Sequence, residues 1–228
     1  MRIYPNFTEA LGEIRRDLAE MGVRVHTQTM QDKDISGDAS YETLELQNFM
    51  YTVTDPDIAE LVGRDQDWIE LEWEDRFDGI MGRPSNPGNA YHVRSTVWDE
   101  FLHEGRFAYT YSERLARHNQ VRRVINRLRD DHYSRQLYIA MWHPDDSEKL
   151  GVERVPCSLG WHVQFRGGRL DLTYFMRSCD FFTHFQNDVA LAIKLQRYIA
   201  DEVGMEPGHF THFMSSLHVY QKDVADTF

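Results

Sequence analysis

A predicted β-hairpin, followed by a long helix and a last strand, constrains the fold of this chain more than any other feature. Residues 157–165 (CSLGWHVQF) and 169–176 (RLDLTYFM) have the pattern of strands, and the Gly-Gly pair between them favours a tight turn. Residues 188–202 have helical spacing, and residues 209–220 have the pattern of another strand. Strands that pair locally and are joined through a helix favour a sheet with helices packed on it.

The remaining segments add helices and strands in no regular alternation. An opening amphipathic helix is predicted from Phe7 to Met21, and Gly22 ends it. Further elements are helices near 56–79, 96–103 and 113–129, strands near 44–53 and 135–142, and polar loops at 31–42 and 83–91. Because strict βαβ alternation is missing, we predict an α+β layered architecture. The length of 228 residues suits a single domain spanning 1–228.

Composition argues against several classes of protein. The formal net charge of −12 repels polyanions, so no nucleic-acid partner is expected, although a local basic pocket can still hold a small phosphorylated ligand. No segment approaches the roughly 18 apolar residues of a membrane span, and the first residues do not resemble a signal peptide. With only two cysteines, Cys157 and Cys179, we expect no disulfide framework and a cytoplasmic location. No metal site is predicted, because the histidines have no partners at ligand spacing.

The hairpin carries the residues that are the strongest candidates for catalysis. If its strands pair around the Gly167–Gly168 turn, Cys157 and Arg177 lie at the same end, with a guanidinium near a thiol. A positive neighbour raises the thiolate fraction of a cysteine and makes it a candidate nucleophile. The alternative is a small core residue, which is what a lone cysteine in a strand usually is.

Three motifs and their spacing carry a resemblance to a known family. RVPCSLGWHVQF, YFMRSCD and the later HVY resemble the catalytic segments of the thymidylate synthase superfamily, and VWDEF, YTYSER and SRQLYIAMW resemble other family segments. The match extends over roughly residues 96–223. It implies a thymidylate synthase-like fold, a mixed β-sheet packed with helices, and a homodimer formed sheet to sheet. Among the members, the motifs are most similar to those of the dCMP and CMP 5-hydroxymethylases.

The resemblance also implies roles for individual residues. Cys157 resembles the thiolate that adds to C6 of a pyrimidine and turns C5 into a carbon nucleophile. Asp180 resembles a catalytic aspartate that faces the base. The other matches imply ligands of a pyrimidine nucleoside monophosphate: Arg177 and Ser178 for the phosphate, Arg135 for the phosphate in the neighbouring subunit, and His218 and Tyr220 for the sugar hydroxyl.

The phosphate site departs from the family in one respect. The family has a pair of arginines where this chain has Arg135 and Gln136, which removes one positive charge. We expect another cation to compensate, and Arg24 is the candidate.

Base recognition is expected to depend on Asp188. Eight residues after the motif aspartate, thymidylate synthases carry an asparagine that reads the uracil edge, and this chain has Asp188 there, with Asn187 as a register-slip alternative. Uracil offers an acceptor at O4 and a donor at N3, whereas cytosine offers a donor at its amino group and an acceptor at N3. A carboxyl group matches cytosine when one proton is shared with N3. An aspartate here resembles the cytidylate hydroxymethylases.

Further departures point to a product other than a methyl group. Ser158 replaces the usual histidine after the nucleophile, Ser215 and Ser216 replace a glycine-aspartate pair, and only eight residues follow Tyr220, so we expect no extended tail over the folate. Such a site admits water, which converts a transferred one-carbon unit into a hydroxymethyl group. A glutamate in DWIELEWEDRF is expected to position that water; Glu70 is preferred, and Glu72 is the alternative if Gly79 sets the register.

The leading hypothesis is a folate-dependent deoxycytidylate 5-hydroxymethylase, as used by viruses that modify their DNA, with 5,10-methylenetetrahydrofolate as donor. For a viral enzyme the location is the host cytoplasm. Three alternatives stay open: a CMP 5-hydroxymethylase, a thymidylate synthase that methylates dUMP, and an inactive relative that only binds nucleotides.

Overall fold

The structure, a computed structural model, describes residues 2–30 and 33–228, so part of the loop predicted at 31–42 lies outside the described residues. Within these ranges the strands are β1 (Arg2–Tyr4), β2 (Val23–Val25), β3 (Thr29–Met30), β4 (Lys33–Asp34), β5 (Thr43–Val53), β6 (Tyr138–Ala140), β7 (Ser158–Arg166), β8 (Arg169–Met176), β9 (Cys179–Asp180) and β10 (Glu206–Tyr220). The α-helices are α1 (Phe7–Met21), α2 (Gln66–Ile80), α3 (Ser95–Trp98), α4 (Tyr111–Ala116), α5 (Gln120–Asp130), α6 (Phe185–Val203) and α7 (Val224–Thr227).

Most strands join one mixed sheet in the order β1-β5-β10-β8-β7-β6, with β2 beside β5 and β9 beside β10. The pairs β5–β10 and β7–β8 are antiparallel, whereas β10–β8 and β1–β5 are parallel. The predicted hairpin is confirmed: Arg166 pairs with Arg169 around Gly167 and Gly168, whose φ angles are 56° and 83°. Two successive residues at positive φ suit this tight turn, and glycine adopts that conformation at no steric cost.

Helices cover one face of the sheet and bury its side chains. Helix α6 packs on β8 and β10, and α1 packs on β5. A column of stacked rings lies on this covered face of the sheet: Tyr174 is 5.2 Å from Trp161 and 4.8 Å from His212, measured between ring centroids. Each of these three residues is at most 1% exposed. Burying a large apolar side chain contributes about 1.5–3 kcal/mol, so this column is a substantial part of the core.

The opposite face of the sheet carries half-buried aromatic side chains. Phe175 lies 6.3 Å from Phe213 and 6.3 Å from Tyr138 between ring centroids, and Tyr138 is 43% exposed. The predicted α+β arrangement of a mixed sheet with helices is therefore confirmed, with one covered face and one open face. Among the described residues, no helix is long and apolar enough to cross a membrane.

Several element boundaries differ from the sequence prediction. The helix predicted at 113–129 is two helices, because His118 and Asn119 have φ angles of 62° and 50° between α4 and α5. The strand predicted at 135–142 is only the three residues of β6. The helix predicted at 56–79 begins at Gln66, where the Asp65 carboxylate accepts a hydrogen bond of 3.1 Å from the Trp68 N–H.

Candidate active site

A cavity of about 530 Å³ lies where β8, β9 and β10 end, between α2 and the first turn of α6. Seven residues singled out from the sequence line it: Glu72, Cys157, Ser178, Asp180, Asp188, His218 and Tyr220. A volume of this size suits a small organic ligand. Sequence positions far apart are thus brought to one place by the sheet and two helices.

The hairpin places Arg177 next to Cys157. The Arg177 Nη2 atom lies 3.7 Å from the Cys157 Sγ atom, and the Arg177 N–H donates to the Cys157 carbonyl at 2.9 Å. The guanidinium also donates to the carbonyls of Pro156 at 2.9 Å and Val155 at 3.2 Å, which fixes its orientation. The predicted juxtaposition is confirmed. A guanidinium held beside a sulfur stabilises the thiolate relative to the thiol.

A second cavity of about 200 Å³ adjoins the first and is also lined by Cys157, Ser178, His218 and Tyr220. Arg177, Thr27 and Thr29 add a guanidinium and two hydroxyl side chains to its wall. A cation with several hydroxyl groups is suitable for binding a phosphate.

Asp188, and not Asn187, lines the large cavity. The Asn187 Oδ1 atom accepts a 2.8 Å hydrogen bond from the Asp65 N–H, and this contact holds the amide against the start of α2. Burial raises the pKa of Asp188 to about 7, and the positive charge of Arg76 acts in the opposite direction. Asp188 can therefore exchange a proton near neutral pH.

The structure corrects the preference for Glu70. Glu70 lies on the outer face of α2, where its carboxylate accepts from Lys194 at 2.8 Å and from Gln66 at 2.7 Å. Glu72 lies in the cavity, and its Oε1 atom accepts from Arg76 Nε at 2.7 Å. Burial raises the pKa of Glu72, while Arg76 opposes that rise. Of the two candidates, Glu72 is therefore the one that can act on a ligand in the cavity.

Asp180, His218 and Tyr220 form a polar wall. The Asp180 Oδ1 atom accepts N–H bonds from Phe182 at 3.0 Å and Thr183 at 3.2 Å, which fix the carboxylate. Burial lowers the pKa of His218 and raises that of Tyr220, so both side chains are neutral near pH 7. Neutral imidazole and phenol groups suit hydrogen bonding to sugar hydroxyls.

Comparison with known proteins decides the family. The family model described as "Thymidylate synthase" matches residues 38–227 of the chain. The protein belongs to the thymidylate synthase family.

The chain is similar to two relatives and to one solved structure. The "Putative thymidylate synthase" of Methanothermobacter marburgensis is 30% identical over 213 residues, which cover 90% of this chain and 91% of that protein. The protein of the same name from Methanosarcina acetivorans is 36% identical over 121 residues, covering 51% and 55%. The structure of thermostable thymidylate synthase A from Bacillus subtilis superposes with a TM-score of 0.73 at 21% identity, covering 96% of this chain and 82% of that one. The fold is therefore that of thymidylate synthase, and the protein is a one-carbon transferase of this family.

Some family positions with altered residues now have a structural explanation. Ser158 is fully buried beneath the nucleophile, and its hydroxyl lies 2.5 Å from the Tyr174 hydroxyl and donates to Tyr111 at 3.3 Å. It does not line the cavity. Ser216 donates to the Glu45 carboxylate at 2.6 Å and lies 3.3 Å from His218 Nδ1, which fixes the histidine ring.

The two arginines expected near the phosphate lie elsewhere in this chain. Arg24 is 71% exposed and pairs with Glu42 at 3.7 Å. It does not line the small cavity, so this geometry does not support the compensation expected of it. Arg135 is exposed just before β6, outside both cavities of its own chain. Its role toward a neighbouring subunit stays a prediction.

Two arginines that line the cavity, Arg76 and Arg154, were missed by the sequence analysis. Arg76 is 3% exposed, and its guanidinium carbon lies 4.5 Å from the centroid of the Tyr111 ring. Its position four residues after Glu72 in a predicted helix was the available signal. Arg154 lies against several aromatic side chains, and no local pattern indicated that contact.

Proposed function

We propose that this protein is a folate-dependent deoxycytidylate 5-hydroxymethylase. The reaction joins dCMP, 5,10-methylenetetrahydrofolate and water to give 5-hydroxymethyl-dCMP and tetrahydrofolate. The single observation that supports it most is that Asp188, a carboxyl group with a pKa of about 7, lines the same cavity as Cys157.

The base preference follows from hydrogen-bond chemistry. Protonated Asp188 donates to N3 of cytosine while its other oxygen accepts from the 4-amino group. Uracil presents the opposite pattern at the same two positions. Ionised Asp188 accepts from the 4-amino group and from a protonated N3 of cytosine, but it faces the acceptor O4 of uracil. Because a mismatched buried polar group costs about 1–3 kcal/mol, the carboxylate favours cytosine.

Covalent activation of the ring is assigned to Cys157. Its thiolate forms a bond to C6, and the electron pair of the C5–C6 double bond makes C5 nucleophilic. Arg177, 3.7 Å from the sulfur, stabilises the thiolate before the attack. C5 then forms a bond to the one-carbon unit of the donor, which is at the oxidation level of formaldehyde. C5 loses its proton and the carbon–nitrogen bond to tetrahydrofolate breaks, which releases tetrahydrofolate and leaves an exocyclic methylene on C5.

Glu72 is assigned to the water molecule that decides the product. The water oxygen bonds to the exocyclic carbon on C5, its proton passes to Glu72, and the Cys157 sulfur leaves C6 as a thiolate. Arg76 holds the Glu72 carboxylate at 2.7 Å and keeps its orientation fixed. Asp180 completes the catalytic set by facing the base.

The remaining assignments concern binding and assembly. Arg177 and Ser178 bind the phosphate, and His218 and Tyr220 bind the sugar hydroxyl. We infer a homodimer through the open sheet face that carries Phe175, Phe213 and Tyr138, with Arg135 of the partner subunit completing the phosphate site. A cytoplasmic enzyme fits this scheme, since its nucleophile is a thiol.

Product analysis tests the proposal directly. The protein is incubated with methylenetetrahydrofolate and either dCMP, CMP or dUMP, and the nucleotides are weighed by mass spectrometry. A gain of about 30 mass units marks a hydroxymethyl group, and a gain of about 14 marks a methyl group. We expect the larger gain, with dCMP as the best substrate. Exclusive methylation of dUMP contradicts the proposal.

Thymidylate synthesis is the second candidate function. The names of the two relatives favour it, since each is called "Putative thymidylate synthase". Asp188 disfavours it, because an ionised carboxylate only accepts hydrogen bonds and therefore does not match O4 of uracil, whereas it matches cytosine that is protonated at N3. A CMP 5-hydroxymethylase differs only in the sugar and is separated from the proposal by the CMP reaction.

A further inference from the structure

We propose that Arg154 binds the one-carbon donor: its guanidinium donates hydrogen bonds to a carbonyl oxygen on the edge of the donor's flat heterocycle. This inference rests on the proposed function, because it concerns the second substrate of the same cavity. It makes Arg154 a specificity-determining residue for the donor.

Arg154 is held by aromatic rings at one wall of the large cavity. Its guanidinium carbon lies 4.6 Å from the ring centroid of Trp98, 5.2 Å from that of Phe101 and 5.3 Å from that of Tyr109. Arg154, Trp98, Phe101 and Tyr109 all line the cavity. Cation–π contacts of this kind fix the plane of the guanidinium without using its N–H groups.

Within residues 2–30 and 33–228, no side chain or carbonyl accepts a hydrogen bond from the Nε atom of Arg154, which is buried. The ion pairs within those ranges also do not include Arg154. A buried N–H donor without an acceptor is costly, so a ligand that accepts a hydrogen bond from Nε gains affinity.

The nucleotide is recognised by other residues. Asp188, Asp180, His218 and Tyr220 are assigned to the base and sugar, and Arg177 with Ser178 to the phosphate. Arg154 comes from the segment before Cys157 and stands with Trp98 and Phe101, which belong to none of these groups. The unpaired Nε donor of Arg154 is therefore available to the second substrate.

The surrounding charge selects a neutral acceptor. Five carboxyl-bearing side chains and three cations line the cavity, so a ligand carboxylate is disfavoured there relative to a neutral carbonyl oxygen. The carboxyl groups are those of Glu72, Asp75, Glu100, Asp180 and Asp188, and the cations are Arg76, Arg154 and Lys222. Flat aromatic walls at Trp98 and Tyr109 suit a flat heterocycle. A carbonyl oxygen on the edge of such a ring meets both conditions.

Calorimetry tests the proposal without relying on turnover. Tetrahydrofolate is titrated into the enzyme saturated with dCMP, for the wild type, Arg154→Met and Arg154→Lys, with Arg83→Met as the control. Arg83 is a surface arginine, 71% exposed and paired with Asp78. We expect Arg154→Met to weaken tetrahydrofolate binding roughly 10- to 100-fold, as for the loss of a charged hydrogen bond, with dCMP affinity unchanged. Unchanged tetrahydrofolate affinity overturns the proposal, as does an equal loss of dCMP affinity.

A tail-less tetrahydropterin, used as a competitor of tetrahydrofolate, distinguishes the heterocycle from the glutamate carboxylates. The same fold-loss for both ligands supports the carbonyl edge, whereas a loss seen only with tetrahydrofolate overturns it. Arg154→Lys keeps the charge but not the planar fork, so partial recovery is expected. Full recovery by lysine shows that charge alone acts and also overturns the assignment to a carbonyl.

Deuterium exchange separates this proposal from the proposed function. In ²H₂O, the enzyme should exchange H5 of dCMP for deuterium without the one-carbon donor. Cys157 adds to C6, C5 takes up a deuteron and loses its original proton, and the sulfur then leaves C6. Absence of exchange in the wild type refutes the proposed function, while the calorimetric result still decides on Arg154. Exchange in the wild type that is lost in Arg154→Met shows that Arg154 acts on the nucleotide, which overturns the present inference.

Discussion

Replacing Asp188 by asparagine should move the base preference from cytosine to uracil. The change is nearly isosteric, so the cavity between α2 and α6 keeps its shape. In the orientation that matches uracil, the carboxamide N–H donates to O4 and its oxygen accepts from N3–H; in that orientation it meets the 4-amino group of cytosine with a donor and N3 with an acceptor. Two hydrogen bonds to the base are thus mismatched for dCMP, and their mismatch with dUMP is relieved.

The magnitude follows from these two contacts. At about 1–3 kcal/mol for each mismatched buried group, the change in relative transition-state binding is at least about 2 kcal/mol. That corresponds to a change of roughly 30-fold or more in the ratio of kcat/KM for dCMP to kcat/KM for dUMP. The raised pKa of about 7 supports the lower end of the range, because only part of the Asp188 population is protonated at neutral pH.

Competition between the two nucleotides in one reaction gives this ratio directly by mass spectrometry. Asp201→Asn is the matched control: it makes the same substitution at the exposed end of α6 and should leave the ratio unchanged. A ratio for Asp188→Asn that stays within twofold of the wild type refutes the reasoning about that carboxyl group.

Three further predictions follow from the same cavity. Glu72→Gln should lower kcat roughly 100-fold or more, as expected for loss of a general acid–base group, whereas Glu70→Gln should change kcat less than twofold. Equal effects of the two substitutions on the rate of product formation argue against Glu72. Because the pKa of Asp188 is raised to about 7 in the folded state, the wild-type protein loses stability as the pH rises from about 4 to 7. Over that range the unfolding free energy of Asp188→Asn should increase by about 1–2 kcal/mol relative to that of the wild type. Chemical denaturation of the ligand-free proteins measures this difference, and parallel pH curves contradict the prediction. Co-expression of Arg135→Glu with Cys157→Ala should restore about a quarter of wild-type activity if the partner subunit completes each site, and strict monomers in gel filtration or no recovery exclude that arrangement.

The sequence predicted the parts of the site that local pattern controls. Cys157 and Arg177 flank two strands of regular alternation joined by a turn, so their proximity follows from strand pairing alone. Asp188 was placed correctly in the cavity because an ungapped interval linked it to His218. Both inferences depended on short, regular elements.

The parts that failed depend on tertiary contacts. Helix α2 has charged residues on several sides, so helical periodicity did not distinguish Glu70 from Glu72. The break between α4 and α5 results from positive φ angles at His118 and Asn119, which no glycine or proline signals. The ring contacts of Arg154 come from positions 98, 101 and 109, and their meeting depends on how the connecting segments fold.

The length of the two-glycine turn between β7 and β8 also determines which β8 side chains reach the active site. Side chains alternate between sheet faces, so inserting one residue at this turn shifts the pairing by one position and rotates every following side chain of β8 to the other face. The Arg177 side chain is then no longer next to the Cys157 sulfur, and the Tyr174 side chain is no longer in the column of stacked rings. Insertions in this loop are therefore expected to preserve activity only when they add an even number of residues. A peptide tag is better inserted at another surface loop.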